Sequence, residues 1–131
     1  MGQSEAMSET GVPDLSIVLT IVDSGQTLER CLEALANQAG DPSIEVLVPY
    51  DHITPEVAGI AAKFPQFTFI DMGVILGGLQ PKDPLETHLF FDARRTVALK
   101  AAKGRLLGII EDRGIPASDW CRNMIDLHAQ Y

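Results

Sequence analysis

The chain has 131 residues, of which 46% are hydrophobic and 21% are charged, so it can form one domain with a hydrophobic core but not two. Its net charge of -8 argues against a nucleic-acid-binding protein, which needs a basic surface to displace counterions from phosphates. No apolar run approaches the roughly 20 residues that span a bilayer. The composition therefore predicts an acidic, single-domain protein without a transmembrane segment.

The N-terminal residues and the two cysteines indicate where the domain begins and in which compartment it works. Residues 1–14 are rich in small and acidic residues and lack the basic and apolar regions of a signal peptide. They predict a flexible tail before a single domain over residues 15–131. Cys31 and Cys121 fall on apolar helix stripes without metal-ligand spacing, which predicts reduced, buried thiols in a cytoplasmic protein.

The first half of the chain alternates between predicted strands and helices. Residues 15–22 form a nearly continuous apolar run, which is typical of a parallel strand buried on both faces. From Thr27 onward, apolar side chains recur at helical spacing, at Leu28, Cys31, Leu32, Leu35 and Ala36. A second strand over 44–48 precedes a helix over 55–63 with Thr54 as its N-cap, and a third strand covers 67–70.

The second half predicts a long loop, a helix, a strand and a last helix. Residues 71–87 contain three glycines and two prolines without periodicity, so they predict a loop. A helix over 88–103 ends at Gly104, a fourth strand covers 106–110, and Ser118 caps the last helix. This order predicts an α/β fold, with an open, mostly parallel sheet and helices on both faces.

Polar or acidic residues follow three of the predicted strands. Thr20 ends the first apolar run, Asp51 follows the second, and Glu111 and Asp112 follow the fourth. In an open α/β sheet the carboxyl ends of the strands form the crevice in which ligands bind. The pattern therefore favours a nucleotide or phosphate ligand.

Basic residues are concentrated in one segment of this acidic chain. Between His88 and Arg105 there are five basic residues and one acidic residue, so this segment carries +4 and the remainder -12. Two interpretations stay open. The segment is a solvated helix face, or Arg94 or Arg95 positions an anionic ligand.

Several common nucleotide and hydrolase motifs are missing from the sequence. The turn after the first strand contains only Gly25, so the glycine-rich dinucleotide motif is absent. The sequence contains neither a Gly-Lys-Ser/Thr phosphate loop nor a G-x-S-x-G nucleophile elbow. These signatures are therefore excluded as the basis of its function.

Residues 15–23 and 27–35 resemble the opening strand, polar turn and first helix of family-2-type glycosyltransferases, which are inverting enzymes with the GT-A fold. The resemblance implies that residues 20–23, including Thr20, contact the nucleotide, Ile21 through its backbone and Asp23 through its side chain. Residues 44–51 are similar to the second strand, where Asp51 would pair with the edge of the base. Tyr50 replaces a second aspartate, and would either stack on a base or cover the sheet edge.

Two further segments extend the resemblance to the diphosphate and the metal. Residues 95–104 resemble a family helix whose arginine corresponds to Arg95, or to Arg94 if the register shifts by one. Glu111, Asp112 and Arg113 stand where the family has Asp-x-Asp, which binds Mn²⁺ or Mg²⁺ and through it the sugar diphosphate. Arginine cannot bind a cation. Three alternatives stay open: Asp112 alone holds the metal, Arg113 neutralises the diphosphate without a metal, or the site is degenerate.

The resemblance covers nearly all of residues 15–131 and implies the N-terminal, nucleotide-sugar-binding half of a transferase, in a truncated GT-A or Rossmann-like fold. It implies transfer of a sugar from a nucleotide-diphosphate sugar to an unidentified acceptor with inversion, using a base from outside this chain. The alternative is a non-catalytic GT-A-like module for nucleotide binding or protein contact. A sheet that ends after the fourth strand leaves an open edge, which favours a homodimer.

Overall fold

The computed structural model describes residues 11–129. Within them, the strands are β1 (Leu15–Thr20), β2 (Ile44–Tyr50), β3 (Thr68–Asp71) and β4 (Leu106–Glu111). The α-helices are α1 (Gly25–Ala36), α2 (Val57–Ala61), α3 (Pro84–Ala101) and α4 (Trp120–Ala129), with a 3₁₀ turn at Leu76–Gly78. Residues 1–10 of the expected tail lie outside the described residues. Asp14 is already fastened to the domain, since its N–H donates to the Ser43 carbonyl at 3.0 Å.

The four strands form one parallel sheet in the order β3-β2-β1-β4. Ile17 in β1 lies opposite Val46 on one side and Gly108 on the other. The predicted α/β fold with a parallel sheet is therefore confirmed. After β3 the chain returns across the sheet through α3, so the strand order reverses between β1 and β4.

Strand β1 lies at the centre of the core and is buried along its whole length. Leu15, Ile17 and Leu19 belong to one hydrophobic cluster with the buried faces of α1, α2 and α4. Val18 packs on the opposite face of the sheet, with Ala98 of α3. Helices therefore cover both faces, which explains why the apolar run of β1 does not alternate.

Helix α3 begins earlier than the sequence pattern predicted. Asp83 is its N-cap, because its side chain accepts a hydrogen bond from the Glu86 N–H at 2.8 Å, and Pro84 occupies the first helical position. The predicted loop over 71–87 is correspondingly shorter. The prediction of Thr54 as the cap of the second helix was wrong: Glu56 is the N-cap of α2, and no side chain caps it.

Gly104 has a different role from the predicted one. Helix α3 ends at Ala101, and Ala102 is already extended, so Gly104 does not provide the helix stop. A β-carbon at Gly104 would lie 2.5 Å from the Ser16 nitrogen. The Gly104 N–H donates to Ser16 Oγ at 2.7 Å, and this hydroxyl donates to Glu45 Oε1 at 2.6 Å. Glycine is therefore required because the link to β4 crosses directly against β1.

The two cysteines are free and buried, as the sequence predicted. Burial, and secondarily the charge of Asp112, raises the pKa of the Cys31 thiol to about 12. Burial raises the pKa of the Cys121 thiol to about 11. Among residues 11–129, no helix has the length and apolar character needed to cross a membrane.

Candidate functional site

The candidate site is a cleft at the carboxyl edge of the sheet, between the ends of β1 and β4. This is where the strand order reverses, and such a switch point opens the crevice in which α/β proteins bind ligands. The cleft has a volume of about 480 Å³. Residues from both strand ends and from the first turns of α3 line it: Val22, Pro84, Thr87, His88, Phe91, Glu111 and Arg113.

Asp112 is fully buried beneath this edge and holds the β1–α1 turn. Its Oδ1 accepts from the Val22 N–H at 3.0 Å, and its Oδ2 accepts from the Ser24 N–H at 2.7 Å. The Asp23 N–H lies 3.2 Å from both oxygens. Successive N–H groups at the start of a helix form an anion-binding nest. Here the carboxylate of Asp112 fills that nest, so its oxygens are engaged away from the cleft.

Asp51 and Arg94 form a buried ion pair behind the cleft, with side-chain exposures of 0% and 4%. The Arg94 guanidinium donates from Nε to Oδ2 at 2.7 Å and from Nη2 to Oδ1 at 3.1 Å. Its Nη1 donates to the buried Ile21 carbonyl at 2.8 Å. Arg94 therefore lies on neither a solvated face nor a ligand surface, and it fastens α3 to the ends of β1 and β2. The nucleotide contacts of Asp51 and Ile21 stay predictions, and a ligand at the Asp51 carboxylate or at the Ile21 carbonyl would compete with this arginine.

Arg113 and Asp23 form an exposed ion pair beside the cleft. Arg113 Nε donates to both Asp23 oxygens at 3.2 Å, and the two side chains are 61% and 44% exposed. The hydrogen bond from Arg113 and the charge of Asp23 raise the pKa of Arg113 above its usual value. Exposed ion pairs are weak because water screens them. Arg113 is thus a cation that can exchange Asp23 for an anionic ligand.

Arg95 connects the end of β1 to the end of β4. Its Nε donates to the buried hydroxyl of Thr20 at 3.2 Å, and its Nη2 lies 3.7 Å from Glu111 Oε2. The guanidinium also lies 6.0 Å from the centre of the Phe91 ring, within the range of a cation–π contact. The structure therefore brings Thr20, Arg95 and Glu111 together at the edge of the cleft.

The residues around the cleft do not fit a divalent cation in this arrangement. Mn²⁺ and Mg²⁺ need several oxygen ligands, and the oxygens of Asp112 already accept three backbone N–H groups. Glu111 lies beside Arg95. Across residues 11–129, no cluster of three or more His, Cys, Asp or Glu side chains is placed to bind a metal. Metal ligation by Glu111 and Asp112 stays a prediction, as do the alternatives in which Arg113 neutralises the diphosphate without a metal or the site is degenerate.

Sequence reasoning missed one wall of the cleft. Pro84 and Thr87 were placed in a loop, and His88 and Phe91 were given no role, yet all four line the cleft. The His88 and Phe91 rings meet edge to face, with centroids 5.5 Å apart. The Asp-Pro pair at 83–84 is typical of a helix start, with the aspartate as N-cap and the proline in the first turn. This signal would have predicted that α3 begins at Pro84 and includes the residues of this wall.

Comparison with known proteins does not assign this chain to a family. Neither protein-family models nor curated proteins give a match to its sequence.

Proposed function

We propose that this chain is the nucleotide-sugar-binding domain of a family-2-like glycosyltransferase, and that the diphosphate of the donor binds in the cleft against Arg113. One observation carries this proposal: the parallel sheet β3-β2-β1-β4 opens a cleft at its switch point, and the cleft is lined by Arg113, which can exchange its exposed partner Asp23 for a ligand. The order of strands, turns and acidic residues along the sequence supports the same assignment.

Arg113 is the group best suited to hold the diphosphate. A guanidinium donates two parallel hydrogen bonds to phosphate oxygens, and it remains charged at every physiological pH. Its present partner, Asp23, is half-exposed and can turn toward water or toward a ribose hydroxyl when the phosphate arrives. Arg95 supplies a second positive charge at the same edge, next to Glu111.

The aromatic wall of the cleft provides a place for the apolar surface of the donor. His88 and Phe91 line the cleft on the side of α3, opposite the ends of β1 and β4. Rings at this position can stack against a base or a sugar face. In this arrangement Thr20, Ile21 and Asp51 support the cleft from behind, whereas Asp23, Arg95 and Arg113 contact the ligand.

The proposed reaction is the transfer of the sugar to an acceptor hydroxyl with inversion. The bond from the sugar to the diphosphate breaks, and negative charge develops on the departing nucleoside diphosphate. Fixed cations next to that charge lower the barrier because they stabilise the transition state more than the bound donor. Arg113 and Arg95 would supply this stabilisation. We also propose a cytoplasmic location, which the free, buried thiols support.

A second candidate is a non-catalytic module with the same fold. It is favoured by one observation: the acidic residues at the strand ends already have partners within the described chain. Asp51 pairs with Arg94, Asp112 with backbone N–H groups, and Asp23 with Arg113. Such a protein would use the cleft to bind a nucleotide, or the surface to bind another protein, without sugar transfer.

Isothermal titration calorimetry with uridine and guanosine diphosphates, with and without Mn²⁺, tests the proposal. We expect binding that does not require Mn²⁺ and that weakens by about tenfold or more in Arg113→Ala, because a charged contact to phosphate is lost. Arg105→Ala is the matched control, since Arg105 comes just before β4, at the amino-terminal end of the strands and away from the cleft. Binding that requires Mn²⁺ would contradict the role of Arg113. No binding under any condition would overturn the nucleotide assignment and leave the protein-contact alternative.

A further inference from the structure

The link between β3 and α3 contains a loop, residues 72–79, whose side chains are not buried. Each of its residues is exposed or half-buried, and Val74 and Leu76 are 73% and 44% exposed. Burial of apolar side chains therefore does little to hold this loop in place. A segment with few buried contacts depends on its hydrogen bonds and opens at a low cost in free energy.

His52, in the turn after β2, holds this loop at three points. Its backbone N–H donates to the Gly73 carbonyl at 3.0 Å. Its ring accepts at Nδ1 from the Ile75 N–H at 3.2 Å, and its Nε2 lies 2.9 Å from the Leu79 carbonyl oxygen. The ring also meets Phe90 of α3 edge to face, with centroids 5.6 Å apart. The imidazole therefore joins the loop to the body of the domain.

The two ring partners require a neutral imidazole of one tautomer. A backbone N–H can only donate, so Nδ1 must present a lone pair to Ile75. A carbonyl can only accept, so Nε2 must carry the proton that it donates to Leu79. A second proton, at Nδ1, would point at the Ile75 N–H and break that hydrogen bond. The ring bonds are therefore complete while the imidazole is neutral, and one of them is lost as the pH falls.

The buried ion pair beside His52 does not stabilise a protonated ring. Asp51 is the neighbouring residue, and its carboxylate is paired with Arg94 of α3. The Arg94 guanidinium lies 5.7 Å from the centre of the Phe90 ring, which in turn meets the His52 ring. An imidazolium would thus approach an existing cation whose counterion is already engaged, and like charges repel.

Among the described residues, the other elements packed against His52 provide no carboxylate without a partner. The loop itself, residues 72–79, contains no charged side chain. At the end of β3, Asp71 accepts from the Gly73 N–H at 2.9 Å, and in the first turn of α3, Glu86 accepts from the Lys82 N–H at 2.8 Å. Protonation of His52 therefore breaks one hydrogen bond and forms no ion pair in this arrangement.

Backbone strain in the loop favours its opening once the ring bonds are broken. Leu76 has a φ of 52°, in the left-handed region that residues other than glycine rarely adopt. Gly77 and Gly78 follow with φ of 64° and 78°. The two ring bonds of His52 are made immediately before and after these three residues. They therefore hold a strained turn closed, and the two glycines allow it to open.

We propose that residues 72–79 form an acid-released strap, which neutral His52 fastens to the body of the domain. At neutral pH the strap is closed through the ring bonds to Ile75 and Leu79. At mildly acidic pH the ring is protonated at Nδ1, the bond to Ile75 is lost, and the strap opens about its glycines. The strap leads into Pro84, the first residue of α3 and part of the cleft wall, so its release also loosens the start of this wall. Opening can be measured without a ligand, so its failure would not bear on the proposed function.

Amide hydrogen exchange followed by NMR measures the opening of the strap. We expect the protection of the Ile75 amide, corrected for the chemical exchange rate at each pH, to fall by about tenfold or more between about pH 7.5 and about pH 5. The amide of Val18, in the buried strand β1, is the internal reference and should keep its protection. Equal loss at both amides would indicate global unfolding and overturn the strap. Unchanged protection of Ile75 would overturn it as well.

One substitution and a matched control identify the titrating group. His52→Asn keeps an oxygen that can accept from the Ile75 N–H but cannot titrate, so the protection of this amide should no longer depend on pH. His128→Asn is the control: His128 is an exposed histidine of α4, and this variant should behave like the wild type. A pH dependence that survives in His52→Asn would overturn the role of His52.

The wild-type chain provides a further test that does not require any variant to fold. Nitrogen chemical shifts of the His52 ring distinguish the two neutral tautomers from each other and from the imidazolium. We expect the tautomer with its proton on Nε2 at about pH 7.5, and the imidazolium over the pH range in which the Ile75 amide loses protection. A proton on Nδ1 at neutral pH would overturn the proposal.

Discussion

The buried ion pair between Arg94 and Asp51 leads to the sharpest prediction about stability. Arg94→Met keeps most of the aliphatic volume of the side chain but removes its charge and its three hydrogen bonds. Asp51 would then be a buried carboxylate whose remaining partner is the Ile53 N–H at 3.0 Å. The Ile21 carbonyl would lose its donor as well. We therefore expect a large loss of stability from one substitution.

The magnitude follows from the cost of leaving one buried charge without its partner. Breaking a buried pair by removing one member costs about 3–5 kcal/mol, which is a large share of the roughly 5–15 kcal/mol that stabilises a typical domain. With a urea slope of about 2 kcal/mol per molar, the unfolding midpoint should fall by about 2 M. Urea unfolding followed by the fluorescence of the half-buried Trp120 measures this shift.

Two further variants separate charge burial from loss of a long side chain. Lys63→Met removes a lysine from the exposed pair with Glu29, and it should move the midpoint only slightly because water screens that pair. Asp51→Asn combined with Arg94→Met should recover much of the loss, since a neutral amide costs less to bury than a carboxylate. Equal midpoint shifts in Arg94→Met and Lys63→Met would refute the reasoning.

Three other predictions concern a thiol, a glycine and an internal anion nest. Burial raises the pKa of the Cys31 thiol from 9 to about 12, so the unfolded chain loses the thiol proton at a lower pH than the folded chain does. The stabilisation that results from this difference in pKa is complete below about pH 9 and disappears as the pH rises toward 12. Cys31→Ser should make the fall of the urea midpoint between pH 8 and 10.5 shallower, and an unchanged slope would contradict this. Gly104→Ala should cost about 1–3 kcal/mol in thermal unfolding, because its β-carbon would meet the Ser16 nitrogen at 2.5 Å; Gly59→Ala, which meets nothing within 4 Å, is the control and should not destabilise the fold. Asp112→Asn should speed hydrogen exchange of the amides of residues 22–24, because one acceptor oxygen becomes an N–H donor; unchanged exchange would show that the nest does not depend on this carboxylate.

The strands and helices of the core could be predicted from local patterns. The apolar run of β1 indicated burial on both faces, and the helical spacing of Leu28, Cys31, Leu32 and Leu35 identified the buried face of α1. These patterns are reliable because burial imposes the period of each element on its own residues. The start of α3 was missed for a local reason: Pro84 was interpreted as a loop residue, although proline after a capping aspartate commonly begins a helix.

The sequence by itself determined the fold class, the order of the elements and the carboxyl edge at which Asp23, Asp51, Glu111 and Asp112 would gather. Only the tertiary structure decided which partner each of them has. Arg94 reaches Asp51 across 43 positions of the chain, and Asp112 reaches the Ser24 N–H across 88. Periodicity reports which face of an element is buried, whereas the partner of a charge depends on side chains that other elements bring within about 3 Å. Asp51 and Asp112 are therefore buried with partners from other elements, whereas Arg113 lines the cleft.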